Sequence, residues 1–215
     1  HLVAGPNPEP ISMAKTTAHE RPTPSGSRAL DIPVAPRNPG LPLELDWVRD
    51  VRVNRSAVER RAATLGTRRT VKKEWQAAWL LRAITLMDLT TLAGDDTPGR
   101  VRRLCAKARH PVRPDLLEAI GAQQLPMRVA AVCVYHAMVE TAVEALQGSG
   151  IPVAAVSTGF PAGLSPVRER LAEIRASVDA GADEIDIVVT RAHVLTGNWP
   201  ALYDEVRAFR AACGD

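Results

Sequence analysis

Four short apolar runs, each followed by a segment of helical period, constrain the fold of this chain more than any other feature. The runs lie at 84–89 (within ITLMDLTTL), 128–135 (RVAAVCVY), 153–158 (VAAVST) and 184–189 (EIDIVV). They lack the polar alternation of a half-solvated strand, which is the signature of parallel strands covered by helices. After the first run, Thr97 is placed to cap a helix with Pro98 at its first position, burying Val101, Leu104 and Cys105. A short helix is expected at 115–120, and another at 137–146 that ends at Gly148 and Gly150. Ser165 as cap and Pro166 at the first position open a helix with Val167, Leu171, Ile174 and Val178 on one face, broken at Gly181. The last helix, 200–212, buries Leu202, Val206 and Phe209. Ahead of the first strand, a helix at 71–82 carries Trp75 and Trp79 four residues apart, an aromatic stripe expected to pack on something apolar. This spacing of four βα units allows a small open sheet or half of a closed barrel.

Residues 1–42 read differently from the rest. They hold nine of the 17 prolines, including the PTPSGS and PRNPG stretches, with no strand or helix period, so a disordered Pro-rich arm is expected there and the folded domain at 43–215. The chain starts with His rather than Met, and Met13 is a candidate initiator. No stretch approaches the run of about 18 apolar residues that spans a bilayer, and the start has no signal-peptide pattern, which points to a cytoplasmic protein without membrane contact. A formal charge of +3 with scattered arginines and 4% aromatics argues against a nucleic-acid partner. Cys105, Cys133 and Cys213 form no CxxC pair, so buried free thiols are expected. His110, His136 and His193 show no ligand spacing, and no metal is expected.

Two aspartates stand out chemically. Asp88 and Asp186 each sit inside an apolar run, where burying an unpaired carboxylate costs several kcal/mol on the order given for desolvated polar groups. In α/β architectures such groups collect at the carboxyl ends of strands, where substrates bind. For Asp88 the structural alternative is an Asx-turn or strand-end cap. Asp183 and Glu184 are expected to precede the strand, in solvent.

Taken together, LMDLTTLAGDDT, AAVCVY, TGFPAG, GADEIDIVV and VLTGNWPALYDEV resemble the deoxyribose-phosphate aldolases, in that family's order and spacing, over about 43–215. The RRTVKKEWQAAWLL entry helix is similar to the longer form of the family. The resemblance implies a (β/α)8 TIM barrel and a class I aldolase that needs no metal or other cofactor. Its substrate would be the small-molecule sugar phosphate 2-deoxyribose 5-phosphate, split into acetaldehyde and D-glyceraldehyde 3-phosphate through a Schiff base on a lysine. It further implies that Asp186 relays protons, through water and paired with a second lysine. Asp88, with Thr90 and Thr91 behind it, would line the site. Cys133 matches a cysteine pointing toward the cavity, and Phe160 and Pro161 would shape that cavity from a βα loop.

The chain also departs from the family. The Schiff-base lysine lies on the family's sixth strand, its electrostatic partner on the seventh and the phosphate cradle in the last loops, whereas only four βα units are legible here. The lysines present are Lys15, Lys72, Lys73 and Lys107, none in an expected strand. The expectation is therefore an amino-terminal portion of an aldolase, of low activity alone, with exposed strand edges and an apolar inner face prone to self-pairing. Two alternatives stay open: a non-catalytic half-barrel that acts through a partner or as a homo-oligomer, and a small phosphate-binding protein using helix N-termini. No GxGxxG or P-loop sequence accompanies the latter.

Overall fold

Alanines and leucines carry the tryptophan-bearing helix ahead of the sheet further than its tryptophans alone suggest. In the computed structural model, which describes residues 41–68 and 70–214, short helices α1 (Leu45–Arg49) and α2 (Arg55–Arg68) precede α3 (Lys73–Ile84). The arm expected at 1–42 lies, but for Leu41 and Pro42, outside the described residues. Ala77, Ala78, Leu80, Leu81 and Ala83 are strong helix formers and extend α3 to Ile84, where Thr85 ends it by donating from Oγ1 to the Arg82 carbonyl at 2.8 Å. The first strand therefore starts later than expected: β1 is Asp88–Thr91, not 84–89. Trp75 and Trp79 are also not packed as expected, being 69% and 64% exposed.

Three further strands follow: β2 (Ala131–Tyr135), β3 (Val153–Ser157) and β4 (Glu184–Ile187). All pair in parallel in the order β1-β2-β3-β4. An open doubly wound sheet reverses its strand order at a switch point, whereas a barrel adds each strand beside the last. This unbroken order, with a helical connection at each step, is the α/β TIM-barrel type, represented by four consecutive strands.

The helices are α4 (Pro98–Arg109), α5 (Pro114–Ala119), α6 (Val139–Leu146), α7 (Val167–Asp179), α8 (Arg191–Leu195) and α9 (Trp199–Ala212), with a 3₁₀ turn over His136–Met138 before α6. Thr97 caps α4 as expected, accepting from the Arg100 amide at 3.3 Å, and Val101, Cys105 and Ala108 are buried. The α7 start differs by one residue. Pro166 is the capping residue and Ser165 makes no cap bond, because the proline's extended backbone (φ −52°, ψ 143°) already turns the chain into the helix. Its buried face also differs: Val167 is exposed, and Arg170 and Ser177 are buried beside Ile174. In α9 the buried residues are Glu205 and Phe209, while Val206 is 38% exposed. No helix among the described residues is long and apolar enough to cross a membrane.

The main core lies between α4, α6 and one face of the sheet. Val101, Cys105, Ala108, Val139, Ala142 and Leu146 meet Leu89, Val132, Val134, Val153, Ala155 and Ile185 there. Period-two alternation turns the intervening strand residues to the opposite face, which no described helix covers.

Candidate active face of the sheet

The uncovered face receives every second residue of the four strands. Register puts Thr90, Cys133, Ala154 and Glu184 in one row, and Tyr135, Val156 and Asp186 in the next, while Asp88 lies opposite Ala131. Cys133, Ala154 and Val156 form a small buried cluster with Leu92, Tyr135 and Phe160 packed on it. Phe160 reaches this cluster from the loop after β3, and its ring meets Tyr135 edge-on, with centroids 5.9 Å apart and planes at 64°.

Of the residues singled out from the sequence, Asp88, Thr90, Cys133, Phe160 and Asp186 thus converge on one face, whereas Thr91 lies in register with Val134 of the covered face and its hydroxyl donates to Asp96. Their surroundings differ from expectation in one respect. Asp88 and Asp186 are exposed, because their face is open and only the helix-covered face is apolar throughout. Asp88 is also the first residue of β1 rather than near its carboxyl end. Glu184 belongs to β4 and shares a face with Asp186, and Asp183 accepts at Oδ2 from the Val153 amide at 3.0 Å, tying β4 to β3. Tyr135 and Glu184 were not singled out, although counting two residues from Cys133 and from Asp186 reaches both.

Electrostatics make this face unfit for thiol chemistry. Burial, followed by the carboxylates of Asp186 and Asp88, pushes the Cys133 thiol up to about 11; a hydrogen bond with Thr90 pulls the other way, and Glu184 adds to the rise. The thiol is protonated at neutral pH and is no nucleophile. A wall carrying three carboxylates instead favours a cation and disfavours a phosphate group near it.

The loop after β1 is a structural counterpart. Burial pushes the Asp96 carboxyl up, but hydrogen bonds from Thr91 Oγ1 (2.9 Å), Arg100 (3.2 Å) and the Ala93 amide (3.0 Å), with the Arg100 charge, hold it below the ordinary carboxylate value. Asp96 thus fixes the loop that leaves β1 and leads into α4.

No protein-family model matches the chain. It is 56% identical over 180 residues to human deoxyribose-phosphate aldolase, covering 83% of this chain and 57% of the human protein. The mouse deoxyribose-phosphate aldolase is 57% identical over 178 residues, with 82% and 56% covered. The chain belongs to the deoxyribose-phosphate aldolase family. It spans a little over half the length of these relatives. A solved structure from Coccidioides immitis assigned to the deoxyribose-phosphate aldolases superposes with a TM-score of 0.51 at 26% identity, over 63% of this chain and 47% of that one.

The described lysines sit on or beside helices. Lys72 and Lys73 open α3, and Lys73 lines a cavity of about 1190 Å³ with Arg82, Arg128 and Pro152, at the amino ends of β2 and β3. Lys107 is exposed on α4. None of the three is on a strand.

Proposed function

We propose that this chain builds the acid-base wall of a deoxyribose-phosphate aldolase site, with Asp186 as the proton relay and Asp88, Thr90, Cys133 and Phe160 lining the substrate cavity. The observation that supports this reading is the gathering of those five residues on the one sheet face that no described helix covers. The reaction is cleavage of 2-deoxyribose 5-phosphate into acetaldehyde and D-glyceraldehyde 3-phosphate, a step in cytoplasmic deoxyribonucleotide breakdown.

A lysine amine condenses with the C1 aldehyde and releases water. The resulting iminium accepts the electron pair of the C2–C3 bond as it breaks, while the C3 hydroxyl loses its proton and glyceraldehyde 3-phosphate departs. The enamine left behind takes a proton at C2, and water then releases acetaldehyde and the amine. Asp186, acting through a water molecule, is the group that takes and returns those protons. The carboxylates beside Cys133 stabilise the iminium charge and leave the phosphate to bind elsewhere in the cavity. The amine itself is not among Lys72, Lys73 and Lys107, so the wall works together with strands that contribute a lysine.

The test is complementation. Alone, the chain treated with deoxyribose 5-phosphate and borohydride is expected to give no lysine adduct by intact mass. Mixed with a polypeptide carrying the part of the human relative that this chain does not match, it is expected to cleave the substrate, and Asp186→Asn is expected to lower turnover by roughly 100-fold or more. An adduct on Lys72, Lys73 or Lys107, or a complemented enzyme indifferent to Asp186→Asn, would overturn the reading.

A further inference from the structure

Beyond Ile187, β4 has no further backbone pairing with β3, yet the chain there is held at Val188 and again at Thr190. Thr158 adopts a left-handed backbone (φ 62°) just past the end of β3, and its side chain reaches across to the residue that follows β4. Thr158 Oγ1 accepts from the Val188 amide at 2.6 Å and lies 2.9 Å from the Val188 carbonyl. Gly163 presses on the same residue: a Cβ added there would come within 2.8 Å of Val188 Cγ1.

Two residues on, a second grip comes from the helices. Glu205 of α9 accepts from both the backbone amide (2.8 Å) and the hydroxyl (2.5 Å) of Thr190. Arg170 of α7 closes the group, 2.8 Å from Glu205 and donating to Thr190 Oγ1 at 3.3 Å, with its guanidinium 5.2 Å from the centre of the Phe209 ring. Both charged side chains are almost wholly buried, at 5% and 6% exposed. Burying an ion pair is seldom the most stable solution for a helix interface, since apolar side chains of similar size do as well or better. What the pair holds here is residue 190, four positions beyond Asp186, through three hydrogen bonds to Thr190.

We propose that Arg170 and Glu205 are positioning residues that, through Thr190 and with Thr158 gripping Val188, set the height and direction of Asp186 over the open face of the sheet. This rests on the reading of Asp186 as the proton relay, but it concerns only where the carboxylate stands, so it can be tested without turnover.

The reporter is Cys133, one strand removed from β4 across β3. Its thiol faces Asp186 and Glu184 on β4 and Asp88 and Thr90 on β1, so its titration senses where the β4 carboxylates stand. Carbon NMR of the Cys133 Cβ in the full 215-residue chain follows that titration without requiring reagent access. Asp186→Asn, the reference, is expected to raise the thiolate fraction at pH 9 roughly tenfold, the effect of lowering a pKa by about one unit. Arg170→Met combined with Glu205→Leu replaces the pair by apolar side chains and is expected to keep helix content and Tm while moving the thiol in the same direction. Arg170→Lys is expected to restore only part of the wild-type titration, because an ammonium cannot contact Glu205 and Thr190 with the same planar fork. Thr190→Val, which removes only the hydroxyl, serves if the double variant does not fold.

A folded double variant, or a folded Thr190→Val, whose Cys133 titrates as in the wild type while Asp186→Asn shifts it, would overturn the proposal. So would an Asp186→Asn variant without effect on Cys133, since the carboxylate would then not stand where the geometry has it. Neither result touches the complementation test of Asp186, and loss of that test leaves the positioning result standing.

Discussion

The two faces of the sheet are built from alternate residues of the same four strands, and they have opposite chemistry. One face packs Val132, Val134, Val153 and Ala155 against α4 and α6 and is closed to water. The other presents Asp88, Thr90, Glu184 and Asp186 around a buried patch of Cys133, Ala154 and Val156. The covered face supplies stability, so its residues are interchangeable within limits of volume. On the proposed reading the open face supplies chemistry, and its residues would be constrained by charge and direction. Substitutions on the two faces should therefore separate cleanly into effects on folding and effects on function.

The largest effect should come from the helix-covered side. Phe209 is fully buried and supports the Arg170 guanidinium, so Phe209→Ala should cost about 3–5 kcal/mol, read as a lower midpoint in urea unfolding. A loss below about 1 kcal/mol would mean that the α7–α9 layer is not part of the cooperative core.

Next comes an alkaline effect from the open face. Cys133 has its thiol raised from 9.0 to about 11 in the folded chain, so between those values the native state holds a proton that the unfolded state has released. Stability is then unaffected below pH 9 and falls as pH rises toward 11, by about 2–3 kcal/mol in all. Cys133→Ser should flatten that decline in urea unfolding measured across the pH range. Asp96 works at the other extreme: its carboxyl is lowered, so its contribution is present above the ordinary carboxylate value and is lost on acidification. Asp96→Asn should accordingly leave a protein whose acid-side stability curve is flatter than that of the wild type.

A smaller effect is expected where α4 begins. Thr97 makes the single side-chain cap of that helix, and Thr97→Ala should cost about 1 kcal/mol without altering the open face, as checked by an unchanged Cys133 titration.

The contrast between faces also accounts for what could be read from sequence. Continuous apolar runs revealed all four strands, because parallel strands between helices leave that mark, and Thr97-Pro98 marked α4. Strand limits were overextended: RVAAVCVY and EIDIVV continue in apolar residues past the point where pairing begins or ends, and pairing depends on the neighbouring strand. The expected burial of Asp88 and Asp186 mistook apolar neighbours for an apolar environment, since residues i±1 of a strand face the other way. Arg170, Ser177 and Glu205 were invisible for a related reason. Charged and polar residues at helical spacing read as the solvent side unless their partners are known, and here the partners lie on another helix or, for Ser177, on His136 at 3.2 Å.

The sharpest test of the division is a substitution expected to do almost nothing to stability. Asp186 is exposed, so Asp186→Asn removes a charge from a water-facing side chain and creates neither a cavity nor an unpaired buried group. Surface changes of that kind stay within about 0.5 kcal/mol. The same substitution removes a carboxylate that acts on Cys133 from β4, so its effect should be read in that thiol and not in stability. A urea midpoint at the wild-type value, alongside a lowered Cys133 titration, would show a residue kept for its charge on the open face and not for folding. A loss of more than about 2 kcal/mol would mean that the open face shares the load of the covered one, and the division between them would have to be abandoned.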